Sequence, residues 1–113
     1  MPAKLLIVQI AAGGADLLDR FGRTALADLP AGRTRTVFPA VTCTAQASFR
    51  TAATPDAHGM VANGCYFRDL RKPMFWEQSA GLVDGERFWS AARRRGRTVG
   101  MICWQQSMGE DVD

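Results

Sequence analysis

The hydrophobic pattern changes character several times along the chain. From Lys4 to Ile10, KLLIVQI is apolar at consecutive rather than alternate positions, and it runs into Ala11-Ala12-Gly13-Gly14. A strand covered on both faces requires that unbroken apolarity, so the run predicts an interior strand of a parallel sheet. In ADLLDRFGRTALADL, Leu17, Leu18, Phe21, Leu26 and Leu29 recur at roughly helical spacing, and Gly22 is expected to divide them into two short helices. RTRTVF, Arg33 to Phe38, is β-branched and predicts a second strand or an edge segment.

The second half is punctuated differently. TAQASFRTAA, Thr44 to Ala53, contains good helix formers, with Thr44 available as N-cap. GERFWSAARRRG, Gly85 to Gly96, predicts a helix that puts Phe88, Ala91 and Ala92 on one face. Its arginines load the last turn, where the helix dipole favours cations, and Gly96 closes it. RTVGMICW, Arg97 to Trp104, predicts another buried strand. Strand, helix, strand in this order implies a βαβ unit, hence an α/β fold with a mainly parallel sheet flanked by helices. No closing element comes after it in QQSMGEDVD. Residues 1–113 are therefore expected to be the N-terminal part of one larger α/β domain. Phe75, Ile102 and Trp104 would then be exposed for self-association or for a C-terminal remainder to cover.

Composition narrows the classes. The chain has 113 residues, 47% of them hydrophobic and 22% charged, which suits one globular domain rather than a disordered segment. The net charge of +3 is concentrated in Arg93 to Arg97, RRRGR. A solvated helix end explains that cluster better than phosphate contact, and a nucleic-acid module lacks interleaved aromatics. Cys43, Cys65 and Cys103 are odd in number and form no CxxC pair, which argues against a disulfide framework and a zinc ribbon. No apolar run approaches the roughly 20 residues of a membrane span. MPAKLLIVQIAAGGA imitates a signal peptide only faintly, since Gln9 interrupts it, and a cytoplasmic location is the expectation.

Most polar features have plain explanations. Gly13-Gly14 fits no GxGxxG or GxxxxGK[ST] pattern and reads as a tight turn between strand and helix. His58 is the only histidine, too few for a histidine-based metal site, and reads as a turn residue bonding nearby backbone. Trp76, Trp89 and Trp104 are spread along the chain and are assigned to the core.

One stretch is not explained this way. TVFPAVTCTAQASFRTAATPDAHGMVANG, residues 36–64, holds prolines, hydroxyls and turn residues between two apolar segments. Within it, Phe38-Pro39, Thr42, Thr51-Ala52, Pro55, His58-Gly59-Met60 and Asn63 succeed one another at a spacing that resembles the nucleophile region of the alkaline phosphatase superfamily. The similarity is to its type I phosphodiesterase/nucleotide pyrophosphatase branch, together with phosphonoacetate hydrolases. FWEQS and ARRRGRTVGMICWQQS also look like segments that come after the nucleophile there, so the resemblance covers nearly the whole chain.

The resemblance implies an alkaline phosphatase-like α/β fold and a metal-dependent hydrolase acting on a phosphoester or nucleotide substrate. Thr42 matches the nucleophile and a metal ligand, and Asn63 matches the amide donor to a phosphoryl oxygen. Two zinc ions about 4 Å apart are the implied cofactors, clamping the attacking and leaving oxygens. The layout is chemically coherent. A threonine hydroxyl needs activation to attack, and the start of a helix favours an anion. Thr44 is the rival nucleophile, but the Phe-Pro-x-x-Thr spacing selects Thr42 and leaves Thr44 as a helix cap. Pro39 restricts Phe38 to β-like angles, so this segment is expected to reach Thr42 extended.

Three departures bear on activity. The family's first strand ends in a zinc-binding aspartate, and Ala11 stands at that position, with Asp16 five residues on. Cys43 comes next after the nucleophile, where nucleotide-cleaving members often have a base-holding phenylalanine. The remaining Asp and His ligands of the family come from later in the chain than Asp113. The expectation is therefore a phosphodiesterase-type hydrolase inactive as this fragment. The alternative is a non-catalytic relative that keeps the fold and binds anions or partners.

Overall fold

In the computed structural model, residues 4–21 and 29–113 are described, and they divide into two units, residues 1–35 and 36–113. The Gly22 break and Leu26 lie outside the described residues.

In the first unit, residues 4–10 form no strand. Leu5 and Leu6 are 83% and 85% exposed, and Val8 and Ile10 are also largely exposed. The strand expected from the sequence is corrected here for a physical reason. Continuous apolarity produces a strand only where neighbouring strands supply a hydrogen-bond ladder and cover, and no described residue pairs with this run. The glycine pair does make a tight turn, with the Gly13 N–H donating to Ile10 O at 3.2 Å. Helix α1, Ala15–Phe21, comes next, with Asp16 in its first turn and Arg20 in its last, both matched to the helix dipole. Arg33 pairs with Asp16 and Asp19 of α1.

The second unit is organised by α2, Thr42–Thr51. Val41, in extended conformation, is its N-cap, and Ala52 closes it in the left-handed region at φ 52°. The expected cap, Thr44, is instead fully buried inside the helix. Residues 33–38 form no strand, Phe38 is 90% exposed, and the Phe38-Pro39 peptide is cis. The inward face of α2 carries Cys43, Thr44, Gln46, Ala47 and Arg50, the i, i+3, i+4, i+7 stripe of a half-buried helix. Its apolar members pack with Met60, Val83 and Leu82 into a small core.

The short helix α3, Pro55–His58, begins with proline in its first turn and ends at Gly59, φ 77°. Its last residue, His58, is fully enclosed. The ring accepts the Met60 N–H at Nδ1, 3.1 Å, and its Nε2 lies 2.7 Å from Ser48 Oγ of α2. The turn-histidine reading holds, with a tie to α2 added. Strands β1, Gly64–Phe67, and β2, Lys72–Phe75, then form an antiparallel hairpin. The mainly parallel sheet is thus replaced, among the described residues, by two antiparallel strands and one parallel bridge between Ser79 and Met108.

Helix α4, Phe88–Arg94, is shorter than its pattern. It ends in a Schellman arrangement, Gly96 N–H to Arg93 O and Arg97 N–H to Ala92 O, with Gly96 at φ 70°. Arg93 pairs with Asp111 and Asp113, and Arg94 with Glu86, which leaves those two arginines of the cluster already matched. Phe49 of α2 meets Phe88 edge-on at 5.7 Å, and Trp89 meets Trp104 at 6.0 Å. Trp89 is buried and Trp104 half-buried, whereas Trp76 is 49% exposed and lies outside the core to which its type and spacing assigned it. Ile102 and Phe75 are exposed.

The strand expected at 97–104 is also absent, and the βαβ unit with it. Residues 105–110 are fastened to the rest of the unit by the short Ser79–Met108 bridge, with Met108 N–H donating to Gln78 O and Ala80 N–H to Met108 O, both at 2.8 Å, and otherwise by side chains. The Gln105 N–H donates to Gln46 Oε1 at 2.8 Å, and Gln106 N–H to Gln78 Oε1 at 3.2 Å. Arg50, fully enclosed, donates from Nη1 to the carbonyls of Gln105 and Gln106 at 3.0 and 2.7 Å. Glu110 lies 3.7 Å from Arg50 Nη1 and 2.7 Å from Arg87 Nε. Burial, and then the Arg87 charge, push the Arg50 pKa down to about 10.

These contacts set stability in two measurable ways. Glu110→Ala leaves two cations facing each other in the interior and should cost about 3 kcal/mol. Breaking the exposed Arg94–Glu86 pair should cost under about 1 kcal/mol. Urea midpoints at constant slope measure both, and equal losses would contradict the placement of Arg50. The second effect concerns His58, whose pKa is depressed by desolvation first, with the Arg50 charge adding and Asp56 opposing. A lowered folded value means the neutral ring is the stable form. Its stabilisation is complete above the ordinary imidazole pKa of about 6.5 and is lost as pH falls from there through the folded value. Unfolding titrated over that range should show this loss in the native chain and not in His58→Asn.

Candidate active site at the start of helix α2

Thr42 is the first residue of α2 and is half-buried. The first turn of any helix has N–H groups without intrahelical acceptors. Here Ala45 N–H reaches Val41 O at 2.9 Å, and no side chain of Val41 can cap the rest. One of those donors is answered from a distance. The Cys43 N–H donates to Asn63 Oδ1 at 3.0 Å, across twenty residues of sequence. Because a backbone N–H can only donate, the amide oxygen of Asn63 is the atom facing the helix, and its NH2 group remains a donor for something else.

The loop from His58 holds Asn63 in this position. Met60 is fixed by its side chain in the core and by its N–H on the His58 ring, and Asn63 comes three residues later. On the other side, the Asn63 carbonyl accepts the Trp76 N–H at 2.9 Å, so the hairpin secures it as well. Asn63 is thereby set against the residue next to Thr42, and the two sequence-predicted site residues come to the same end of α2.

The rival hydroxyl has a different environment. Thr44 is fully enclosed and its Oγ1 has no hydrogen-bond partner, so it presents nothing to a ligand at the surface. Cys43 is also fully buried, with Sγ 3.0 Å from Gln106 Nε2. It faces the core and cannot do the work of a base-holding aromatic.

Sequence reasoning missed the residues that brace this helix start from below. Gln106 is 2% exposed, and its amide bridges Cys43 Sγ and Glu77 O. Asn63, Glu77, Cys65 and Gln106 line a narrow cavity beside it. The available signal was the Gln105-Gln106 pair in a stretch otherwise read as a tail.

Thr42 is the only one of the expected metal-site positions with a potential ligand atom. Ala11, exposed in the first unit, has none, and Asp16 is engaged by Arg33. Among the described residues, no group of three or more His, Cys, Asp or Glu is placed to hold a metal ion. This donor set does not fit a two-zinc centre.

Comparison with known proteins agrees with the motif. Neither the curated proteins nor the solved structures include a significant match. The family model described as type I phosphodiesterase / nucleotide pyrophosphatase matches residues 8–113, nearly the entire sequence and all of the second unit. The chain belongs to the type I phosphodiesterase/nucleotide pyrophosphatase family.

Proposed function

We propose that Thr42 is the nucleophile of a phosphoester hydrolase of phosphodiesterase or pyrophosphatase type, and that Asn63 is the amide donor to the phosphoryl group. The observation that carries this reading is the Asn63 Oδ1 bond to the Cys43 N–H. It sets a carboxamide beside the first turn of the helix that Thr42 begins, with the amide NH2 left over. Family membership supplies the reaction class, with a phosphoester or nucleotide as substrate.

In this reading the Thr42 oxygen attacks phosphorus, the bond to the leaving oxygen breaks, and water later releases the product from Thr42. The N-terminal turn of α2 favours the anionic group electrostatically. The Asn63 NH2 donates to a non-bridging oxygen, where a positioned donor is worth most as charge develops. The family's metal dependence, with two zinc ions and Thr42 as a ligand, belongs to this proposal. The donors among the described residues do not complete such a centre, so this chain by itself is expected not to turn over.

Ala11 in the aspartate position favours a second reading, a non-catalytic relative that keeps the anion site without hydrolysis. The two separate in one assay of the intact protein with a chromogenic phosphodiester. Thr42→Ala should abolish turnover with the circular dichroism unchanged. Asn63→Ala should lower kcat by about a hundredfold or more, the scale for one lost donor. Thr44→Ala should leave the rate near wild type if it folds. Turnover that survives Thr42→Ala would sink the first reading; phosphate binding without turnover in the wild type would establish the second.

A further inference from the structure

His58 is not among the residues given a role in the chemistry, yet it is fully enclosed and its side chain is saturated with specific contacts. Its Nδ1 accepts the Met60 N–H, so that nitrogen is unprotonated. The remaining nitrogen must then carry the hydrogen in the neutral ring, and Nε2–H donates to Ser48 Oγ at 2.7 Å. This tautomer leaves His58 without a basic nitrogen for the Ser48 hydroxyl, so the pair is not a nucleophile and its base.

The geometry of what it joins is more informative. Ser48 is on α2, six residues after Thr42, and Met60 begins the loop that ends at Asn63. The ring therefore spans from the helix that starts at Thr42 to the segment that carries Asn63. The main chain of His58 adds a third tie, its carbonyl accepting the Asp84 N–H at 3.0 Å. We propose that His58 is a positioning residue, a neutral imidazole brace that sets the distance between Asn63 and the start of α2. The inference rests on the role proposed above for Asn63 as phosphoryl donor. It adds that the site's alignment depends on one buried tautomer rather than on the hairpin alone.

Hydrogen exchange of the Cys43 amide reads this alignment without any turnover, because Asn63 Oδ1 is its acceptor. In the intact protein, Ser48→Ala removes only the Nε2 contact. It should speed Cys43 exchange by about fivefold, the scale of one lost hydrogen bond, while the Ala47 and Phe49 amides stay protected. His58→Asn keeps an acceptor for the Met60 N–H, and should retain more Cys43 protection than His58→Ala. Nitrogen-15 spectra of the wild type should show the hydrogen on Nε2 at neutral pH. Cys43 exchange unchanged in Ser48→Ala, or a uniform loss across α2, would overturn the proposal. So would a hydrogen on Nδ1. None of these readouts depends on Thr42 being the nucleophile, so activity surviving Thr42→Ala would sink the functional reading and leave this measurement standing.

Discussion

A guanidinium with no exposed surface constrains everything around it. Arg50 is on the inward face of α2, one turn from Ala47 and two from Cys43, and it cannot be moved to water without turning the helix. Its charge requires acceptors in the interior. Those come from the carbonyls of Gln105 and Gln106 and from Glu110, which Arg87 also holds. The rotation of α2 about its axis is thereby fixed. That rotation turns Cys43 and Thr44 inward and leaves Thr42 at the half-buried start of the helix.

With the helix oriented, its first turn needs acceptors, and only a side chain from elsewhere can supply one to Cys43. Asn63 does so. The same residue type that satisfies a stranded N–H also carries two amide hydrogens, and it is these that the proposed function would direct at an anion. The order runs from packing to the helix start: buried arginine, helix rotation, and a first turn whose Cys43 N–H is capped by Asn63 beside Thr42. The metal set does not arise by this route. Among the described residues no three His, Cys, Asp or Glu gather to hold a metal ion, and Ala11 has no ligand atom.

How much could be read from the sequence depended on the range of the interactions. Local signals were readable. Residues 44–53 and 85–96 gave α2 and α4 within a few residues, and Gly96 gave the closing turn of α4. The motif around Thr42 and Asn63 was readable because its spacing is fixed by short-range turns, Pro55 into α3 and Gly59 out of it. The strands at 4–10, 33–38 and 97–104 were misjudged because apolar composition reports a need for cover and not the presence of a partner strand. Leu5, Leu6 and Ile102 show the consequence, being mostly exposed. The Gln46 and Arg50 bonds that hold residues 105 and 106 join positions more than fifty residues apart, and no window of sequence contains both ends.

The chemistry proposed for this site depends on Thr42 carrying the oxygen that meets phosphorus. The most direct measurement is acid quenching of the intact protein during reaction with a phosphodiester, then mass spectrometry of the peptide spanning residues 36–50. A covalent phosphoryl ester on Thr42, absent without substrate, is the expected result. Modification at Thr44, or a reacting enzyme whose peptide never gains mass under conditions that trap the intermediate, would contradict it.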